Sequence, residues 1–358
     1  MSNDRKILLI VSLLVLFGIF TLFNASSFIS SQLERCGHNP FYYVIKQVEA
    51  IFIGGIAMLV LNKIDLEKLK KMALPGLIFS IMLLAIVLIV GKEINGAKRW
   101  LDLGITNFQP SEMAEFFILL YLSAFISSSK IGKKTHEKII AVLVLCLTAI
   151  VLVAVEPNLS TALLMYLFVI VLLLLSDIPR GYIFSMCVFL VVGFLAMIPR
   201  YAHAVTRLKM LAGSVHSEQA ENSILAIANG GFFGQGIGMG KFKLFFIPEV
   251  HSDFIFTTIA EEFGFIGCII LIGAFLLFLK TGIDVAKNSY STFSKVLAFG
   301  ITFIIFTKAI THIAISLKIA PTTGLVLPFI SYGGSAMIFN LAMIGILMNI
   351  ARDGYNAK

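Results

Sequence analysis

Apolar runs long enough to cross a bilayer recur along the whole chain, and they restrict its fold more than any other feature. Each run has about 16 to 25 residues, which as an α-helix rising ~1.5 Å per residue matches a hydrocarbon layer of ~30 Å. Charged residues make up 13% of the chain, about half of the ~25% typical of soluble domains. The sequence therefore predicts an all-α, polytopic integral membrane protein rather than a soluble globular enzyme.

Ten of these runs qualify as transmembrane helices, and we assign them to a single membrane domain over residues 1–358. The first run follows Arg5 and Lys6 but lacks a small-residue cleavage site, so we expect an uncleaved helix rather than a signal peptide. The predicted spans are 7–30, 44–61, 73–90, 113–127, 139–155, 160–176, 182–198, 255–279, 296–316 and 325–350.

The basic residues predict the topology. The formal net charge is +8, and the lysines and arginines lie mainly between the apolar runs. With a cytoplasmic N-terminus, sixteen of them fall in inside segments and five in the outside loops other than the one at 199–254, as the positive-inside rule requires. We therefore expect both termini in the cytoplasm. Because the excess charge is explained as a topology signal, no nucleic-acid partner is expected.

Two outside connections are long in a chain whose other loops are short. They cover 91–112 and about 199–254, the second being one large extracytoplasmic loop. Binding and catalytic residues concentrate on loops that a rigid scaffold holds in place. The predicted functional site therefore faces outward.

Ionisable residues crowd the start of the eighth predicted span. They are Glu249, His251, Asp253, Glu261 and Glu262. Charges at a membrane boundary cost free energy that some interaction must offset. One explanation is capping, in which Ser252 or Asp253 closes the helix N-terminus. The other is chemical, with Asp253 placed where a lipid-linked head group meets water and acting as a general base.

The first long loop carries a basic and aromatic cluster, Lys98, Arg99 and Trp100. Such a cluster either anchors a loop among lipid head groups or binds a phosphate group. Beyond it, Glu112 and Glu115 are three residues apart and share one helix face. Two acids on one face near the start of a membrane helix require a basic or hydrogen-bonding partner.

Three further segments interrupt the apolar pattern. Residues 156–158, Glu-Pro-Asn, predict a turn with a carboxylate near the outer surface. Residues 229–240, NGGFFGQGIGMG, lack the preceding strand and closing Gly-Lys-Ser/Thr of a phosphate loop, so we expect a flexible loop over the membrane surface. Residues 328–335, PFISYGGS, break the entry of the last span and predict the inner wall of a cavity.

The histidines and cysteines predict neither a metal centre nor a hydrolase. The six histidines and four cysteines show no zinc-ligand or redox spacing, and no nucleophile elbow is visible. The sequence thus requires no cofactor, although a divalent cation, Mg²⁺ or Mn²⁺, is compatible with it.

Taken together, these segments resemble the SEDS family of bacterial envelope proteins (shape, elongation, division and sporulation), to which FtsW, RodA and SpoVE belong. The resemblance covers essentially the whole chain, with the motifs in the family's order. It rests on NGAKRWLDLG followed by FQPSE at 108–112, EPNLSTALL at 156–164, the glycine-rich loop entering IPEVHSDFIFTTIAEEFG, and APTTGLVLPFISYGGS at 320–335.

The resemblance implies a glycosyltransferase of the bacterial inner membrane that polymerises lipid II, a substrate on an undecaprenyl lipid carrier. The expected partners are a class B penicillin-binding protein that crosslinks the product and other proteins of the division machinery. In this family the acid of the H-[ST]-D-F-I-F motif is regarded as essential, and it maps to Asp253. The candidate substrate-binding residues are Lys98, Arg99, Trp100, Gln109, Glu112, Lys241, Lys243, Glu249, His251, Ser331, Gly333 and Gly334.

The chain departs from the family pattern at three places. In residues 200–219 the Asp-Pro that usually follows the arginine-containing segment is not evident, so the family's substrate contacts in that loop carry over poorly. Glu115 stands where the family commonly has Lys, and we hypothesise that Lys308 compensates from another helix. The family's Gln-Pro-Asp turn reads Glu156-Pro157-Asn158 here, which weakens any role for an acid at its third position. The C-terminal motif is more similar to the FtsW branch than to the RodA branch. A lipid II flippase, a RodA-like elongation polymerase and a division scaffold are the alternatives.

Overall fold

The computed structural model describes residues 2–94, 97–102, 107–128, 136–197, 218–244 and 246–356. In these ranges the chain forms eleven α-helices, one 3-10 turn at Glu34–Cys36 and three short strands. The helices are α1 (Asn3–Gln32), α2 (Tyr42–Leu61), α3 (Leu66–Val90), α4 (Pro110–Ser127), α5 (His136–Val155), α6 (Leu159–Leu174), α7 (Arg180–Met197), α8 (Glu218–Gly230), α9 (Ile255–Asn288), α10 (Thr292–Ser316) and α11 (Gly334–Asn356). The strands are β1 (Lys92–Ile94), β2 (Ala97–Asp102) and β3 (Asn107–Phe108).

The helices confirm the predicted all-α membrane architecture. Eight of the described helices, α1 to α5 and α9 to α11, are long and apolar enough to cross a membrane. The shorter apolar helices α6 and α7 coincide with the predicted spans 160–176 and 182–198. The protein is therefore a multi-pass membrane protein, and every predicted span overlaps a helix of the structure.

Several boundaries and elements differ from the prediction. The last helix begins at Gly334 rather than at 325, because residues 328–333 form a tight turn in which Phe329 adopts a left-handed φ of 67°. Helix α9 continues to Asn288, beyond the predicted 279. The strands and α8 were not predicted, since strands of two to six residues and one short helix carry little periodic signal. Residues 198–217 of the large loop lie outside the described residues.

Glycines set the closest helix contacts. Helix α2 packs along α11, and a Cβ placed on Gly345 would lie 2.3 Å from the Met58 carbonyl oxygen. Small residues at such positions let two backbones approach within a membrane, where dispersion packing drives association. The contact fixes the middle of α11 against the second membrane helix.

The first long loop is a small antiparallel sheet. Strand β1 pairs with β2, with Glu93 opposite Lys98, and β2 pairs with β3, with Leu101 opposite Phe108. The sheet connects the end of α3 to the start of α4. It therefore holds the basic cluster of β2 on a defined surface at one end of the helix bundle.

Candidate functional site

A tight turn presents Asp253 at the entrance of α9. The backbone amides of Ser252 and Asp253 both donate to the Glu249 carbonyl oxygen, at 3.1 and 3.0 Å. The N-cap position of the helix is Phe254, which makes no side-chain capping bond, and the Ser252 hydroxyl donates back to Glu249 O. Capping by Ser252 is thus not observed, because its hydroxyl is engaged within the turn.

A second turn, residues 327–333, lies directly against the Asp253 turn. The Ser331 hydroxyl donates to the Ser252 carbonyl oxygen at 2.7 Å, and the Tyr332 amide donates to the His251 carbonyl oxygen at 3.0 Å. The Leu327 amide donates to the Ser331 hydroxyl oxygen at 2.9 Å. Ser331 is therefore a hub between the two turns, and the broken entry of the last span lies beside the candidate catalytic acid.

The space beside the Asp253 carboxylate is open. Gly324 is exposed, and a Cβ placed on it would meet a single atom of the described residues within 4 Å, Asp253 Oδ2 at 3.8 Å. The residue after Gly324 is held by the protein core, because the buried His312 places its Nδ1 2.7 Å from the Leu325 carbonyl oxygen. The carboxylate thus borders an accessible position whose wall is fixed by the core.

Aromatic rings support the same turn from behind. The Tyr43 ring lies 4.1 Å from the His251 ring and 4.9 Å from the Tyr332 ring, centroid to centroid. His251 is buried, and its Nε2 lies 3.4 Å from Glu249 Oε2. Burial raises the pKa of Tyr332 to about 12, so its phenol stays neutral at physiological pH. Glu249 and His251 therefore contact each other within the Asp253 turn.

Sequence reasoning missed Gln47, which ties α2 to this site. Its amide nitrogen donates to the Ser331 carbonyl oxygen at 3.0 Å, and its amide oxygen accepts from the Gly333 amide at 3.2 Å. Gln47 is 1% exposed. A buried amide in an otherwise apolar span is costly without partners, and that cost was the signal available in the sequence.

The sheet joins the site through the start of α11. The Ser335 hydroxyl donates to the Asn107 carbonyl oxygen at 3.2 Å and accepts from the Gln109 amide at 2.9 Å. Gln109, Gly333 and Gly334 therefore lie along one connected surface. The segments FQPSE (108–112) and PFISYGGS (328–335) thus meet beside the Asp253 turn. More than two hundred residues separate these two segments in the chain.

The basic cluster divides into exposed and docked members. Lys98 is exposed and Trp100 half-buried. Arg99 donates from Nε to the Glu156 carbonyl oxygen at 3.0 Å and from Nη2 to the Pro157 carbonyl oxygen. Arg99 consequently anchors the sheet on the 156–158 turn, while the Lys98 side chain stays exposed.

Glu156 is a buried carboxyl in that turn. It is 0% exposed, and neither of its carboxylate oxygens has a hydrogen-bond partner among the described residues. Burial raises its pKa from the usual 4.5 to about 8, against the opposing effect of the nearby Arg99 charge. At neutral pH the folded protein therefore holds a proton on Glu156.

We expect Glu156→Gln to raise the melting temperature at pH 8 by about 2–4 °C and to change it less at pH 5. Between the usual pKa of 4.5 and the folded value of about 8, the folded state binds more protons than the unfolded state, so stability falls as pH rises. Glutamine removes this dependence because it stays neutral. Thermal unfolding in detergent at the two pH values checks the effect, and an equal shift at both would contradict it.

The acids inside α9 hold the large loop in place. Glu261 accepts hydrogen bonds from Asn229 Nδ2 at 3.1 Å and from the Lys241 amide at 2.9 Å. Glu262 Oε1 lies 2.5 Å from Lys243 Nζ, and both side chains are buried. The expectation that Lys243 binds substrate is not supported, because its charge is already paired below the surface. The exposed Lys241 remains a candidate.

The glycine-rich segment 229–240, predicted as a flexible loop, forms a loop of successive turns over residues 231–240. Helix α9 is broken at Gly264, which has φ 63° and ψ −162°. Four backbone hydrogen bonds of 2.9–3.3 Å join residues 231–236 to residues 261–266 across this break. A Cβ on Gly264 would lie 2.3 Å from the Gly234 amide nitrogen, so glycine is required there. The loop is thus confirmed, but its backbone partners in the broken helix were not predicted, because the loop sequence does not reveal them.

A buried ionic triad lies between α4 and α10. Lys308 Nζ is 2.9 Å from Glu112 Oε2 and 2.5 Å from Glu115 Oε2, and all three side chains are buried. This confirms the hypothesis that Lys308 compensates for the acid at 115. The same pairing removes Glu112 from the set of substrate-facing residues, since its carboxylate lies in the protein interior.

The described residues do not form a metal centre. No group of three or more His, Cys, Asp or Glu side chains in these ranges is arranged to hold a metal ion.

The fold and the site define a polytopic α-helical membrane protein with a carboxylate at one end of its bundle. Residues 4–356 match the FtsW/RodA/SpoVE family, described as "Cell cycle protein". The chain belongs to this family.

Relatives and solved structures agree with this assignment. Proteins named "Probable peptidoglycan glycosyltransferase FtsW" from Trichlorobacter lovleyi and Geobacter metallireducens are 32% and 34% identical, over 97% of this chain and 93% and 94% of theirs. The rod shape determining protein RodA of Thermus thermophilus is 26% identical, with a TM-score of 0.72 over 98% of this chain and 97% of its own. A structure titled "Structural coordination of polymerization and crosslinking by a peptidoglycan synthase complex" includes a chain with a TM-score of 0.78 and 25% identity, over 98% of both chains.

Proposed function

We propose that this protein is a peptidoglycan glycosyltransferase that polymerises lipid II into glycan strands for septal synthesis in cell division. One observation carries the proposal: the Asp253 carboxylate borders an accessible position, at Gly324, where two turns and a membrane helix entrance meet. The near full-length relationship to proteins named as peptidoglycan glycosyltransferases supports the reaction class.

In the proposed reaction, Asp253 removes the proton from the acceptor sugar hydroxyl as its oxygen attacks the anomeric carbon of the donor. The new C–O bond forms as the bond to the lipid pyrophosphate breaks on the opposite face, so an α-linked donor yields a β-linked glycan. Charge develops on the departing pyrophosphate and requires cations. The exposed Lys98 and Lys241, with Arg99 at the base of the sheet, are the candidates for this role.

The proposed orientation places both termini in the cytoplasm and the Asp253 turn outside the inner membrane. The positive-inside distribution of lysine and arginine supports it. The substrate on its undecaprenyl carrier then reaches the site from the outer leaflet. The proposed partner is a class B penicillin-binding protein together with other division proteins, in line with the synthase complex whose chain shares this fold.

Division is favoured over elongation by the relatives. Those named FtsW are 32% and 34% identical to this chain, compared with 26% for the RodA structure. The experiment that separates the two is complementation of strains depleted of the division or the elongation polymerase. Rescue of septation alone supports the proposal, whereas rescue of rod shape alone contradicts the division role.

The reaction itself is tested with purified lipid II in liposomes, with and without the cognate transpeptidase. We expect glycan strands from the wild-type protein, detected by gel separation of the labelled product. If no polymer forms under any partner or cation condition and lipid II instead crosses the bilayer, the protein is a flippase. If neither activity occurs while division depends on the intact chain, it is a scaffold.

A further inference from the structure

The segment 230–240 presents its apolar side chains to the outside. Phe232, Phe233, Ile237 and Met239 are 58%, 79%, 58% and 69% exposed, and the segment contains no charged residue. A contiguous apolar surface of this kind on a soluble face is unfavourable in water. The exposure of these side chains indicates that this surface is not surrounded by water.

The charges at the same level of the protein are turned inward. Glu261, Glu262 and Lys243 are 1%, 2% and 7% exposed, and they pair with each other or with the backbone of the loop. A surface in contact with water shows the reverse arrangement, with charges outside and phenylalanines inside. Burying the ion pair and exposing the rings is the favourable arrangement where the outside is apolar.

The segment is also continuous with the lipid-facing side of α9. Below the break at Gly264, Phe265, Ile269 and Ile270 are 54%, 52% and 67% exposed on this membrane helix. The Phe232 ring lies 5.8 Å from the Phe265 ring, centroid to centroid. The four backbone hydrogen bonds across the break hold the segment at this height. The exposed rings of the loop therefore extend an apolar face that already meets lipid.

We propose that residues 230–240 form a re-entrant segment whose Phe232 and Phe233 insert among lipid acyl chains in the leaflet on the Asp253 side of the membrane. Lys241 follows directly and is exposed, where its ammonium reaches the head groups. Gly264 lies nine positions after Ile255 on α9, a rise of ~14 Å. The segment therefore sets the height of the Asp253 turn above the acyl chains.

The test uses tryptophan fluorescence in vesicles of brominated phosphatidylcholine. Trp100 is the one tryptophan of the chain, so Trp100→Phe provides a dark background into which Phe233→Trp is placed. We expect bromolipids to quench this probe by about half or more, with shallow bromines more effective than deep ones, as for a group at the head group and acyl boundary. The readout does not depend on catalytic activity, so it is independent of the proposed reaction.

Two matched probes calibrate the result. Ile270→Trp reports the lipid-facing side of α9, and Glu93→Trp reports an exposed residue of the sheet. Met239→Trp repeats the measurement within the segment in case Phe233→Trp does not fold. Quenching of both segment probes by aqueous iodide and not by bromolipid, as for Glu93→Trp, overturns the proposal. Protection from both quenchers overturns it as well, because it shows contact with protein.

Discussion

Asp253→Asn is expected to abolish glycan-strand formation while the protein stays folded. Asparagine has nearly the same shape but does not accept a proton, and loss of a general base lowers a rate by roughly 10²–10⁴-fold. The turn itself depends on backbone amides of Ser252 and Asp253, which the substitution retains. Polymerisation of lipid II by the purified variant, with thermal unfolding as the folding check, measures the effect.

Asp284→Asn is the matched control. Asp284 lies on the same helix, α9, near the end opposite to the Asp253 turn, and we expect wild-type polymerisation from it. Substantial polymer from Asp253→Asn would show that another group takes the proton. Equal losses from both variants would show that the assay reports general damage to the helix.

Lys308→Met is expected to lower the free energy of unfolding by about 3–5 kcal/mol, the range for removing one partner of a buried ion pair. The change leaves the carboxylates of Glu112 and Glu115 facing each other with no ammonium between them, where Lys308 now lies 2.9 and 2.5 Å from their oxygens. Denaturation in detergent, followed by circular dichroism, provides the measurement.

A second substitution distinguishes loss of the ion pairs from loss of packing. Glu115→Lys alone places two ammonium groups beside one carboxylate and is also expected to destabilise the protein. In the double variant Lys308→Met and Glu115→Lys, one cation again faces Glu112, so most of the stability should return. Because contacting residues are not additive, strict additivity of the two losses would contradict the pairing.

Some residues of the candidate site could be predicted from the sequence alone. Asp253 and the Ser331 turn stood out because polar residues and helix breaks at a membrane boundary need a reason. Their proximity could not be predicted from the sequence, because the hydrogen bond from Ser331 to Ser252 joins positions 79 residues apart. Gln47 was missed for the same reason, since its partners Ser331 and Gly333 lie on the last turn before α11.

The sequence by itself determined the class of fold and the positions of the apolar helices, because the length of an apolar run is a local property that a bilayer of fixed thickness selects. The tertiary structure decided which charges pair and which apolar faces remain exposed. Lys308 pairs with two acids of another helix, and the glycine segment pairs with a break in α9. Both outcomes depend on which helices become neighbours, and packing of the whole bundle sets that arrangement.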